Sequence, residues 1–244
     1  MEGYKVVNMS EVKTKNKIEL SKNDRLNGLR AAVLGANDGV VSTAGLIFGV
    51  AGATNNKGAI FTAGLAGLVA GAISMAVGEY VSVSTQRDTE RAFIDREKRL
   101  LKEEPDNQLQ HLAEFYEAKG VSHDTAMQFA HELTVKDPIK AHLEAELQLN
   151  EEDLTNPMTA AVFSLLSFTA GALVPLLAAV LSTDHWRIET TLIAVMIGLF
   201  LTGFLSAKFG GSNKRAAVLR VIVGGIAAMA VTYMIGRLFG TAIS

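Results

Sequence analysis

Two carboxylates and a thioether stand where a chain has little reason to keep polar chemistry. The stretch LGANDGVVSTAG, residues 34–45, sets Asp38 among small and apolar residues. A second stretch, GAISMAVGEYVS, residues 71–82, carries Met75 and Glu79, four apart and so on one face of a helix. A carboxylate can carry a proton or a cation, and a thioether beside a carboxylate suits a divalent transition metal better than an alkali ion. Each residue also has a plainer reading. An acid close to a helix start can reach out to the membrane interface, and a lone Met in an apolar helix is usually packing.

A further set lies between residues 87 and 153. Glu103 and Asp106 bracket Pro105, Glu114 and Glu117 are three apart, and His142 and Glu146 are four apart. Hard oxygen ligands with an imidazole would hold Fe²⁺, Mn²⁺ or Zn²⁺. Taken singly, each pair also fits an ordinary solvated face of a Glu-rich helix. Other chemistry is missing from the sequence. There is no cysteine, no Gly-x-x-x-x-Gly-Lys-Ser/Thr loop, no His-Glu-x-x-His and no Gly-x-Ser-x-Gly. No Glu-x-x-His pair of the di-iron bundles is present either. An enzyme would lack a nucleophile–base pair, an ATP-driven pump would lack its phosphate loop, and no nucleic-acid partner is expected.

The elements that must carry these residues follow from the apolar pattern. Five runs with almost no charge, about 31–53, 59–85, 158–182, 188–209 and 216–240, are each long enough to cross a bilayer. Between the second and third lies a polar segment with 17 Asp and Glu against 9 Lys and Arg. The rest of the chain holds 8 acids, and of these Asp38 and Glu79 are read as lying within spans, the others in the tail or loops. A charge at the bilayer centre costs about 3 kcal/mol on insertion scales. The expected fold is all-α and membrane-embedded. It comprises a tail over 1–30, two spans over 31–86, a small acidic helical domain over 87–156 and three spans over 157–244.

Bases at the span ends set the orientation. Lys5, Lys13, Lys15, Lys17, Lys22, Arg25 and Arg30 precede the first span, and Lys208, Lys214 and Arg215 lie between the fourth and fifth. The other two short loops hold only Lys57 and Arg187. The N-terminus and acidic domain are therefore expected in the cytoplasm and the C-terminus outside or in a lumen. The polar N-terminus has no compact apolar core of a removable signal, which fits a bacterial plasma membrane or an organelle membrane. In the acidic segment the second span is expected to run on as a charged helix until Pro105. Asn107 and Ser122 are expected to cap the next two helices, and Asp137-Pro138 opens the last. Gly67-xxx-Gly71 matches a close-packing motif of membrane helices, or reflects their ordinary glycine content.

These stretches, with LAEFYEAKGVS, DPIKAHLEAELQL and NPMTAAVFSLLSFTAGALVPLL, resemble the vacuolar iron transporter family in order from about Arg30 to the C-terminus. The resemblance implies a five-span homodimer that carries Fe²⁺, and often Mn²⁺, out of the cytosol in exchange for protons. It implies a path at the dimer interface lined by the positions of Asp38 and Met75. It also implies a cytoplasmic metal site at Glu103, Asp106, Glu114, Glu117 and Glu146. Asp106 stands where a Glu is usual, His142-Leu143 where eukaryotic members have a Met pair, and Glu79 where they have Gly. The competing expectation is a membrane-anchored metal sensor or buffer without transport.

Overall fold

A computed structural model describes residues 32–147 and 156–243, leaving aside the side chains of 146, 147 and 241–243. The expected tail over 1–30, with its seven bases, lies outside the described residues. Among the described residues there is no strand. Helices run over Ala32–Ala53 (α1), Lys57–Glu103 (α2), Pro105–Glu117 (α3), His123–Lys136 (α4), Pro138–His142 (α5), Pro157–Leu181 (α6), Arg187–Gly210 (α7) and Lys214–Ile243 (α8). Five of them, α1, α2, α6, α7 and α8, are long and apolar enough to cross a membrane. Two compact units result, one from Met1–Tyr80 with Met158–Ser244, the other Val81–Pro157.

In the first unit α1 is the central element, and missing side chains let its neighbours reach its backbone. A Cβ added to Gly39 would collide with the Phe168 carbonyl oxygen and the Ala172 nitrogen of α6, and one on Gly171 with the Ala36 carbonyl. Farther along, a Cβ on Gly52 would strike the Tyr233 carbonyl of α8, and one on Gly236 the Gly49 carbonyl. Contacts of this closeness replace the hydrophobic drive that lipid cannot supply between helices. They also fix direction. Gly35 meets Ser167 while Gly39 meets Phe168 and Ala172, so α6 runs parallel to α1, and α8 does likewise. α7 runs the other way, Thr202 reaching Asn37 and Gly198 meeting Val40. Gly64 of α2 meets Ile47, while Gly71 meets the Phe168 ring near the start of α1, so α2 is antiparallel too. The described part of α1 therefore begins at one end of the unit and α8 finishes at the other.

Gly67 and Gly71 are used for close packing, but by side chains: the notch at Gly67 takes Leu46 and that at Gly71 takes the Phe168 ring. Two apolar clusters complete the unit. Ile47, Leu68, Phe168 and Leu176 center one, and Val40, Phe48, Val195, Leu199 and Met229 the other. At the far end Arg187, 4% exposed, pairs with Asp184 and donates to the Asn55 carbonyl at 3.3 Å. That joins the α1–α2 loop to the α6–α7 loop. Glu189, read above as a loop acid, occupies the first turn of α7. Gly39→Val is expected to cost about 2 kcal/mol or more, because backbone rather than a movable side chain blocks the new atoms. A melt in detergent within a degree or two of the parent protein would contradict this packing.

The second unit has a thin core. Leu112 packs with Ala113, Ala126, Ala130, Ala141 and Ala145, and Leu109, Phe115, Tyr116, Met127 and Leu133 close over them. Alanine buries little apolar area, so edge contacts matter: Tyr116 meets Phe115 and Phe129 edge-on, and Lys119 Nζ lies 4.0 Å from the Phe115 ring centre. Pro105 ends α2 and takes the first position of α3, where its missing N–H costs nothing. The cap position there is Glu104, not Asn107, whose amide instead donates to Glu104 Oε2 at 2.9 Å. Ser122 occupies the cap of α4 but bonds Thr125 Oγ1 rather than backbone, whereas Asp137 accepts from the Lys140 N–H at 3.0 Å as expected. After His142 the chain widens into a π turn over Leu143–Leu147.

Candidate functional site

The glycine face of α1 determines where its acid points. With Gly35 and Gly39 pressed on α6 and Val40 and Ala44 in the core, the remaining side carries Leu34 and Asp38, both exposed. The neighbouring Asn37 turns inward, where its Oδ1 accepts from Thr202 Oγ1 at 3.3 Å. The Asp38 carbonyl takes a second bond from Ser42 Oγ at 2.7 Å. The carboxylate itself has no hydrogen bond or ion pair among the described residues. Such a charge cannot be left against acyl chains, at about 3 kcal/mol, and needs water, a cation or another protein surface.

Met75 is half-buried and packs against the Phe168–Leu176 cluster. Glu79, one turn further along α2, is half-buried and likewise without an ion pair among the described residues. The two share a side of α2 by spacing, and among the described residues no hydrogen bond or ion pair joins Glu79 to Asp38.

In the second unit α3 gathers acids by its own periodicity. Asp106, Gln110, Glu114 and Glu117 fall within an arc of about 80° at 100° per residue. Glu103, the last residue of α2, and Asp106 and Glu114 are exposed. Glu114 accepts from Gln110 Nε2 at 3.2 Å, and Glu117 meets His123 Nδ1 at 2.7 Å. The Tyr116 phenol, on the apolar side of the same helix, titrates above its ordinary range, through burial and then the charge of Glu144. Among the described residues no three His, Asp or Glu side chains converge as a metal site would require, and the side chain of Glu146 lies outside the described residues.

His142, which the spacing puts on one helix face with Glu146 as a candidate metal ligand, lies against a further carboxylate. It is 1% exposed, and its Nδ1 stands 3.2 Å from Oε1 of Glu97, itself 8% exposed on α2. Glu97 was not singled out from the sequence, where it is one charge among many in TERAFIDREKR. A signal was present: Glu97 follows the buried Ile94 by three residues and precedes the half-buried Leu101 by four, so it occupies a stripe position of that helix.

An all-helical integral membrane protein of five spans, with an acid-rich helical unit between the second and third, is the class that this architecture defines. The model of the VIT family matches residues 29–237, and the chain belongs to that family. It is 38% identical over 214 residues to a vacuolar iron transporter of Acanthamoeba castellanii, covering 87% of this chain and 79% of that protein. It is 36% identical over 234 residues to vacuolar iron transporter homolog 2 of Arabidopsis thaliana, covering 96% and 94%. With vacuolar iron transporter homolog 1 of rice, Oryza sativa subsp. japonica, the identity is 39% over 218 residues, covering 88% and 75%. These relatives are named as transporters, not as enzymes.

Proposed function

We propose that this protein is a secondary transporter that moves Fe²⁺, and Mn²⁺ with it, out of the cytosol in exchange for protons. The observation that carries this reading is the outward Asp38, an acid on a glycine-clamped span whose carboxylate has no partner among the described residues. The iron-transporter names of the relatives fit it. A second copy of the chain facing α1 would enclose Asp38 away from lipid and line a path between copies, so the working unit is a homodimer. Asp38 and Met75 replace part of the ion's hydration shell there, and Glu79 adds a second carboxylate. Desolvation favours the protonated acid and a bound cation the ionised one, so proton and metal compete for the same oxygens.

Residues Val81–Pro157 are placed in the cytosol with the N-terminus, where Glu103, Asp106, Glu114, Glu117 and Glu146 collect divalent metal. His142 supports that unit from inside through Glu97. A sensor or buffer would use the same acids but leave Asp38 without a purpose. In proteoliposomes, Fe²⁺ and Mn²⁺ uptake is expected to rise several-fold when the lumen is acid. Zn²⁺ and Co²⁺ measured alongside define selectivity. Uptake indifferent to the gradient would remove the proton coupling, and no uptake of any metal would leave the buffer reading. Glu114→Gln with Glu117→Gln is expected to lower flux about tenfold at low metal and to recover at high metal, the signature of a lost collecting site.

A further inference from the structure

At the end of the membrane unit where α1 begins, α7 and α8 enclose a groove of about 540 Å³ that the transport reading does not use. Gly203 draws the helices together there, a Cβ on it coming 3.0 Å from Val218 Cα, so Val218 forms the floor. One wall is Phe200 and Phe204, whose rings stack at 6.2 Å with planes 13° apart. The other is Leu219 and Ile222. Phe200 is 49% exposed and Leu219 63%, so the groove opens sideways into the bilayer. Its mouth is basic: Lys214 and Arg215 border it, and Lys214 Nζ lies back over the Phe204 ring at 5.3 Å from its centre.

No acid follows Glu189 in the chain, and neither base is ion-paired among the described residues. From Lys214 to Ile222 the groove runs about 12 Å along α8, against about 15 Å for the hydrocarbon of one leaflet. An orientation signal alone needs bases at a span end. It needs neither a stacked aromatic wall nor an apolar slot leading away from them.

We infer that this groove binds one anionic phospholipid, its phosphate between Lys214 and Arg215 and one acyl chain along Phe200, Phe204, Leu219 and Ile222. Basic pockets between spans have this chemistry for charged headgroups. The occupant is the lipid, not free phosphate, because most of the surface is apolar and faces the bilayer.

The test uses the delipidated full-length protein in detergent, titrated with phosphatidylglycerol or with phosphatidylcholine of the same acyl chains and read by native mass spectrometry. Phosphatidylglycerol is expected to bind once per chain and about tenfold or more tightly than phosphatidylcholine. Lys214→Gln with Arg215→Gln should erase that preference. Leu219→Ser, at an exposed position that does not threaten the fold, should weaken both lipids. Lys57→Gln, at the opposite end, should change neither. Inorganic phosphate in large excess should fail to displace the lipid. Equal affinity for the two headgroups, an unchanged preference in the double variant, or full displacement by phosphate would overturn the assignment.

Discussion

Asp38→Ala is expected to reduce Fe²⁺ flux in proteoliposomes by about 100-fold or more while the protein stays folded, and indeed becomes no less stable. Both halves follow from one geometry. The side chain is exposed and makes no hydrogen bond among the described residues, so its loss opens no cavity and strands no partner there. The bond from Ser42 Oγ goes to the Asp38 backbone oxygen and survives the change. No buried group is left unpaired by the change, so the melting temperature should hold. For transport the same change deletes the only acid of α1, and with it about two factors of ten in the stability of a partly dehydrated cation. Asp38→Asn separates the two roles of the carboxylate. It keeps an oxygen ligand but cannot trade a proton, so residual metal flux should lose its response to a pH gradient. Full flux in the alanine variant would sink the mechanism, and a variant that fails to fold would show that the packing described for α1 is wrong.

The spans were legible because some twenty consecutive apolar residues have no good alternative to a membrane helix. Asp38 was legible for the converse reason, the cost of keeping it. Its direction was not. That depends on Gly39 and Gly171 bringing α1 and α6 to backbone contact, a tertiary fact that the spacing of small residues permits but does not select. Gly67 and Gly71 illustrate the same gap: the motif marked a notch, and only the fold shows that Leu46 and Phe168 fill it. In the acidic unit Asp137-Pro138 opened a helix as written, since cap and proline act within one turn. Asn107 did not cap, because Pro105 already fixed the helix start two residues earlier. Glu97 was hidden by its neighbours. A stripe of period 3.6 is hard to see when its inward position holds a charge, and the partner that makes that charge acceptable is 45 residues away.

The Glu97–His142 pair bears on how the second unit holds its acids in place. Five of the six residues clustered there are alanines, with Ile94 and Leu143 buried besides, so the pair adds to a modest apolar burial around α5 and the π turn after it. Glu97→Ala would leave the His142 ring inside without that carboxylate, and breaking a buried pair by removing one partner costs about 3 kcal/mol. His142→Ala is expected to cost a similar amount, since it leaves a carboxylate 10% exposed without its imidazole. The informative quantity is the coupling. The double variant should lose about 1–3 kcal/mol less than the sum of the single ones, because the second removal relieves the group that the first left behind. Hydrogen exchange of the Ile139–Leu147 amides, on the full-length protein in detergent, reads that local stability directly. Strictly additive effects would mean that the 3.2 Å approach contributes nothing. The functional consequence follows from place in the chain. Glu146 lies within the π turn that begins one residue after His142, so loosening the pair should weaken the metal binding proposed for the acidic unit. Asp38, in the other unit, is expected to remain essential in every one of these variants.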